Sequence, residues 1–417
     1  VTYRVQLDNG VRIVGEEIPS MRSVSIGVWI NTGSRYESVQ NNGVSHFLEH
    51  MFFKGTERFS ARELAQVFDG LGGQVNAFTS KEYTCYYARV LDEHFSVAVD
   101  TLSDMLFHSR FVPEEIEKEK KVVIEEIRMY EDTPDELVMD ILAESVYGGH
   151  PLGYTILGRE ENIRNFSRDD IENYIGARYR ASQIVIAVAG NVKQEVVVAE
   201  IAQRFHLAVP GAADVDGLLQ VPDFHRTLCV REKDIEQVHI TLAAPGYAAG
   251  NHKLYPLILL NNALGNTPSS RLFQEIREER GMAYSVFSFH SSYKDSGMFG
   301  VYAGTSPEHV EDVLRLVHDI CADVCAHGLT DDELQKGKEQ VKGSMMLSLE
   351  STSSRMSRLG KNELLLGRDI PLDDTLDAIN GVTVADVRAV AAELLGTPFA
   401  ISAVGPVRDI DLSKWLQ

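Results

Sequence analysis

The chain has 417 residues, 44% hydrophobic and 24% charged, with 61 acidic against 40 basic residues and a formal net charge of -21. That acidic excess argues against nucleic acid or an anionic lipid surface as partner, and no window approaches the roughly 20 apolar residues needed to span a bilayer. The length exceeds what one core usually supports, so two domains are expected.

The start, VTYRVQLDNGVRIVGEE, alternates like a strand and shows no basic-then-apolar leader pattern. VRIVGEE and SVSIGVWINTG read as strands, followed by a helix from about Gly43. SARELAQVFDGLGG reads as a second helix: Ser60 and Glu63 have capping-box spacing, and Gly72-Gly73 ends it. Strands QVNAFTS and YTCYYARV precede helix DEHFSVAVDTLSDML, and a further helix opens on Pro113 with acids in its first turn. Strand QIVIAVAGNV and helix VVVAEIAQRF close the first half. After the Gly/Ala/Pro-rich stretch LAVPGAADVDGLLQVPDF the order restarts, with VHITLAAPGY, KLYPLILLNNALG, the pair AYSVFSFHSSY and GMFGVYAGT, and the helix PEHVEDVLRLVHDICADV. AVAGNV at 187–192 is echoed by SAVGPV at 402–407. The expectation is an α+β fold of two homologous domains, 1–206 and 227–417, joined by a linker at 207–226. Each is a mainly antiparallel sheet packed with helices.

Residues 46–50 read His-Phe-Leu-Glu-His. Four residues apart on a helix, His46 and His50 share one face and can offer two imidazoles to one ion, while Glu49 leans to the same rim. Zinc with three protein ligands keeps a fourth position open and acidifies a water there, whose proton a carboxylate such as Glu49 can take and pass on to a leaving amine. A third ligand must come from another element. In PEEIEKEKKVVIEEIRMYED, Val122, Val123, Ile124 and Ile127 make one side apolar, and Glu119 and Glu126 lie two turns apart on one stripe. The residues alone do not choose among Glu119, Glu125 and Glu126. Cys321 and Cys325 lie one helical turn apart but have no second ligand pair, and read as helix packing; with Cys85 and Cys229 they make no disulfide framework. His94, His108 and His150 have no paired ligand spacing.

Several segments together resemble the pitrilysin-type metallopeptidases, in the short-chain branch that includes the mitochondrial processing peptidase and its bacterial relatives. They are HFLEHMFFKGT, Asn-Ala-Phe-Thr-Ser at 76–80, Val-Val-Ile-Glu-Glu-Ile at 122–127, HPLGYTILG at 150–158 and SSRLFQEIREERGMAYSV. The resemblance implies Glu126 as third ligand beside His46 and His50, Glu119 as the acid that orients a ligand, and Glu49 as the residue that activates water. It implies that Arg277 and Tyr284 reach the substrate, and that a substrate strand adds at QVNAFTS, with Asn76 and Ala77 as contacts. It further implies a chamber built from four such domains. One chain carries two domains and both motifs, so a homodimer is expected, with Arg277 and Tyr284 acting across it. The loop GNTPSS at 265–270 lacks the glycine-rich insert of the non-catalytic processing-peptidase subunit.

The reading is a metalloendopeptidase with one Zn2+ per chain, manganese or cobalt being compatible with the same donors. Its substrates would be unfolded or presequence-like peptides, with basic ones favoured by the acidic charge. The bacterial cytoplasm is the expected compartment, or the mitochondrial matrix in a eukaryote. The rivals are a non-catalytic assembly protein of the same fold, the catalytic subunit of an obligate heterodimer, and a closed structural metal site.

Overall fold

The computed structural model describes residues 2–211 and 220–416. In the first half the elements are β1 (Thr2–Gln6), β2 (Arg12–Glu17), β3 (Ser23–Ile30), α1 (Val44–Met51), α2 (Ala61–Gly70), β4 (Gln74–Thr79), β5 (Thr84–Leu91), α3 (Phe95–His108), α4 (Pro113–Glu131), α5 (Pro134–Tyr147), α6 (Glu160–Asn165), α7 (Arg168–Arg178), β6 (Ile184–Gly190) and α8 (Gln194–Phe205). The second half supplies β7 (Leu228–Glu232), β8 (Val238–Pro245), α9 (Leu254–Gly265), β9 (Ala283–Ser292), β10 (Gly297–Thr305), α10 (Val310–His327), α11 (Asp331–Ser348), α12 (Thr352–Leu366), α13 (Leu372–Gly381), α14 (Val384–Leu395) and β11 (Ala400–Gly405). Among the described residues no helix is long and apolar enough to cross a membrane.

Local chemistry sets many of these boundaries. Ser60 caps α2 through the Glu63 amide while the Glu63 carboxylate accepts from the Ser60 amide, the reciprocal pair its spacing predicts. Ser167 with Asp170 and Thr383 with Asp386 do the same for α7 and α14. β6 is buried along its whole length, because it is a central strand covered on both faces.

The two sheets have one topology. The first runs β1-β2-β6-β3-β5-β4 and the second β7-β11-β8-β10-β9. Without β1 the orders coincide strand for strand, down to the single parallel pair, β2 with β6 and β7 with β11. All other pairings are antiparallel. The fold is therefore α+β with two similar, mainly antiparallel sheets, as the repeat predicts.

The compact units are not continuous in sequence, as an unbroken division into 1–206 and 227–417 would require. One comprises 1–128, 154–220 and 348–369; the other comprises 129–153, 221–347 and 370–417. Each unit thus takes one long helix from the opposite half of the chain. The cause is a second apolar sheet face. In the first unit Trp29, Cys85, Val185 and Ala187 form such a face, and Met356, Leu359 and Leu364 of α12 bury it. Glu363 of α12 is 1% exposed and ties the helix to β1 and β2, accepting two hydrogen bonds from Arg4 (both 2.9 Å) and one from Arg12 (3.0 Å). In the second unit Leu142, Val146 and Tyr147 of α5 cover Ala243, Met298 and Ala400. Residues 212–219 of the expected linker lie outside the described residues.

The opposite face of the first sheet carries the larger core, in which Val44, Phe47, Leu48 and Met51 of α1 pack with Ile26, Val28, Tyr86 and Val123. α1 is held from its N-terminus as well. Gly43 takes a positive φ of 103° there, and the Glu37 carboxylate accepts from the backbone amides of Gly43 (2.8 Å) and Ser45 (2.9 Å) and from the Asn42 side chain. The four thiols are unpaired. Cys321 is buried and its thiol is pushed up to about 12 by burial, and Cys325 donates to the Ala391 carbonyl, so both belong to helix packing.

Candidate metal centre

α1 buries its leucine, phenylalanine and methionine side and leaves His46, Glu49 and His50 along the margin facing α4 and β4. The rings of His46 and His50 meet edge to face, 4.7 Å between centroids. From α4, Glu126 Oε2 lies 3.6 Å from His46 Nε2 and 3.4 Å from His50 Nε2. Glu125, its neighbour, is exposed and paired with Arg128 at 2.8 Å. Glu119, two turns before Glu126 and 4% exposed, sits behind His50. His50 Nδ1 donates to Glu119 Oε1 at 2.7 Å, and Lys54 reaches the other carboxylate oxygen at 2.8 Å. This brace leaves His50 Nε2 for Glu126 or an ion. His46 Nδ1 is buried with no partner among the described residues, so only His50 is braced by a carboxylate at Nδ1.

Glu49 stands apart from the three donors. Its Oε2 accepts from the Thr79 hydroxyl at 2.6 Å. Burial pushes its carboxyl above the usual range and the Thr79 hydrogen bond opposes the rise. Burial, with His50 nearby, pushes His46 down to about 4. Burial works against protonation of His50 too, but its hydrogen bonds to Glu119 and Glu126 prevail and push it up to about 9. The hydrogen bond from His50 holds Glu126 below its ordinary value; at Glu119 burial is outweighed by His50 and Lys54, with the same result. The cluster thus draws in positive charge, which a proton or a divalent ion can supply.

Two imidazoles and one carboxylate suit zinc. Bonds of about 2.0–2.1 Å at tetrahedral angles place donor atoms roughly 3.4 Å apart, close to the two separations Glu126 makes. The three donor atoms all lie within 4.8 Å of one another, the one such group among the described residues. No fourth protein donor joins it among the described residues.

Among the described residues β4 is the last strand of its sheet and pairs only with β5. Its side chains alternate: Ala77 and Thr79 face α1, whereas Asn76 and Phe78 face the other side. Asn76 is exposed, and its Oδ1 accepts from the Ala77 amide at 2.8 Å. Arg277 and Tyr284 belong to the other compact unit. Arg277 lies on a π-helical turn, Phe273–Glu278, with its guanidinium carbon 4.7 Å from the Phe273 ring and 4.6 Å from the Tyr284 ring. Tyr284, on the edge strand β9, is 77% exposed.

Known proteins resemble this chain over nearly its whole length. Residues 12–160 match the family model described as insulinase (peptidase family M16), and residues 165–341 match that of the peptidase M16 inactive domain. An uncharacterized zinc protease of Bacillus subtilis, YmxG, is 49% identical over 97% of this chain and 98% of its own. The chain belongs to peptidase family M16. Other M16 relatives include an uncharacterized zinc protease of Streptomyces coelicolor, 42% identical over 99% of this chain and 91% of its own. A probable mitochondrial-processing peptidase subunit beta of Arabidopsis thaliana is 34% identical over 98% of this chain and 79% of its own. The solved structure of a peptidase M16 inactive domain from Pseudomonas fluorescens shares the fold, with a TM-score of 0.91 at 22% identity over 97% of this chain and 98% of that one.

Sequence reasoning passed over three residues that the fold brings to the site. Thr79 on Glu49 was readable from its alternation with Ala77. Lys54 on Glu119 lies one helical turn beyond His50, a weaker signal. Glu37, capping α1, had none, because its partners are backbone amides.

Proposed function

We propose that this M16 chain is a zinc-dependent endopeptidase, and that His46 Nε2, His50 Nε2 and Glu126 hold the ion. The observation that carries the reading is the convergence of these three donors beside a separately held carboxylate, Glu49. When bound, zinc supplies Lewis acidity, polarising a carbonyl and acidifying water. Glu49 takes the proton of the attacking water and returns it to the leaving amine, its other oxygen steadied by Thr79. Glu119, itself braced by Lys54, fixes the tautomer and orientation of His50. Arg277 and Tyr284 donate to the charge that develops on the carbonyl oxygen, or to the peptide backbone.

Substrates bind extended, adding a strand at β4, where backbone hydrogen bonds give affinity independent of sequence. The free edge supports this, and so does the Asn76 side chain, which occupies the Ala77 amide and must turn aside for a substrate carbonyl. Unfolded or presequence-like peptides are the substrate class, with basic residues favoured by the net charge of -21. One chain carries both motifs, so a homodimer enclosing a chamber is the assembly, in the bacterial cytoplasm that the Bacillus and Streptomyces relatives suggest.

The test is peptide cleavage by the purified chain before and after chelation, with zinc restored and metal content measured on the same sample. Chelator-sensitive cleavage that zinc restores is the expected result. A chain with neither metal nor cleavage would overturn the reading, and light scattering on the active fraction decides between one chain type and two.

A further inference from the structure

The edge strand β4 has two sides, and they differ in charge. On the α1 side, where Ala77 and Thr79 point, stand Glu49, Glu119 and Glu126. On the other side α12 packs mainly across β2, β6 and β3, with the β5–β4 margin beyond them. A cavity of about 520 Å³ opens there, between Phe78 and Tyr87 on the sheet and Ser354, Ser357, Arg358 and Lys361 on α12. Its floor is aromatic: Phe78 packs edge-on against Trp29 and Tyr83, and lies 6.1 Å from the Tyr87 ring. Its α12 wall is cationic and hydroxyl-bearing. Lys361 is exposed and forms no ion pair among the described residues; its contact is the Tyr83 ring, 5.9 Å from Nζ. Arg358 has Asp369 at 3.9 Å.

A peptide paired with β4 presents successive side chains to opposite faces of the sheet. One set faces the α1 side of the sheet, and the alternate set meets this cavity. We propose that the cavity is a specificity subsite for an acidic substrate side chain, with Phe78 and Tyr87 taking its methylenes and Lys361 pairing with its carboxylate. The subsite rests on the peptidase reading and adds to it: basic and acidic residues are favoured at alternate positions, not basic residues throughout. A charge-assisted contact at a half-open site is worth about tenfold in discrimination.

The experiment compares kcat/KM for peptides carrying Glu, Gln or Lys at each position flanking the cut, with the parent chain, Lys361→Glu and Arg22→Glu. Arg22 is exposed and paired with Asp92, and its substitution changes net charge by the same amount. In the parent, Glu exceeds Lys about tenfold at one position, and its neighbours do not share the preference. Lys361→Glu reverses that ratio, and Arg22→Glu leaves it in place. Peptides cut with the same Glu-to-Lys ratio by parent and Lys361→Glu would overturn the subsite while leaving the peptidase standing. Absence of any chelator-sensitive cleavage would instead strike the peptidase reading. In that event, binding of labelled Glu- and Lys-containing peptides to the parent and Lys361→Glu decides the subsite, and equal affinities overturn it.

Discussion

The two sheets are built to one plan, and among the described residues only the first has beside it a group of donors that could hold a metal ion. α1 and α9 occupy the same place in that plan, between the third and fourth strands of the first sheet and the second and third of the other. α1 presents His46, Glu49 and His50 along one margin; α9 reads LYPLILLNNALG and buries Leu257, Leu259, Leu260 and Leu264. The partner helices diverge in step. Counted from the first residues of α4 and α11, Glu119 and Glu126 correspond to Gly337 and Ser344. In the first unit His50 meets Glu119, whereas in the second Asn262 lies close to Gly337, with its Oδ1 3.3 Å from where a Cβ would stand. A buried charge needs a partner of opposite sign or a hydrogen-bonding one. Acids on α4 are tolerated because histidines and Lys54 face them, and where the histidines are absent the acids are absent too. The scaffold supplies position, and two matched helix faces supply the chemistry.

Breaking the reactive half of this comparison is expected to produce the largest effect. Glu49→Gln keeps the hydrogen bond from Thr79 but loses the base, so kcat falls about 1,000-fold while zinc content by atomic absorption stays at the parent level. Next comes the anchor of the exchanged helix. Glu363→Ala leaves Arg4 and Arg12 without their shared carboxylate and costs about 3 kcal/mol, seen as a drop of roughly 6–10 °C in the calorimetric midpoint. A variant with an unchanged midpoint would show that α12 is held by its apolar contacts alone.

The brace behind the ligand gives an intermediate effect. Glu119→Gln weakens zinc binding about 10–100-fold, measured by competition with a chelating dye, because His50 is left with a neutral acceptor and Lys54 loses its ion-pair partner. The smallest effect belongs to the unit without that donor group. There Glu333 accepts two hydrogen bonds from Arg271 (2.8 Å each), which hold its carboxyl below the usual range. A lowered folded pKa means that this stabilisation is present above the unfolded value, about 4.3, and is lost as pH falls through the folded one. Glu333→Gln therefore costs about 1 kcal/mol at neutral pH, and the urea midpoints of variant and parent converge in strong acid. Zinc affinity is unchanged in this variant, which separates the two halves of the comparison.

The sequence by itself determined what depends on short spacing. Helix periodicity put His46 and His50 on one face, Ser60 and Glu63 reproduced their predicted cap, alternation oriented β4, and the repeated element order announced two sheets of one topology. Tertiary structure decided what depends on packing between distant segments. Glu119, Glu125 and Glu126 are equivalent in composition and differ only in how α4 is rotated against α1, which turns one to a surface arginine and two towards histidines. The exchange of α5 and α12 was invisible for the same reason: an amphipathic helix states that one side must be buried but not which sheet will bury it. The edge position of β4, and with it a cationic cavity on one side and a carboxylate cluster on the other, exists only once strand order is set. Strand order is settled by which apolar faces can be covered together.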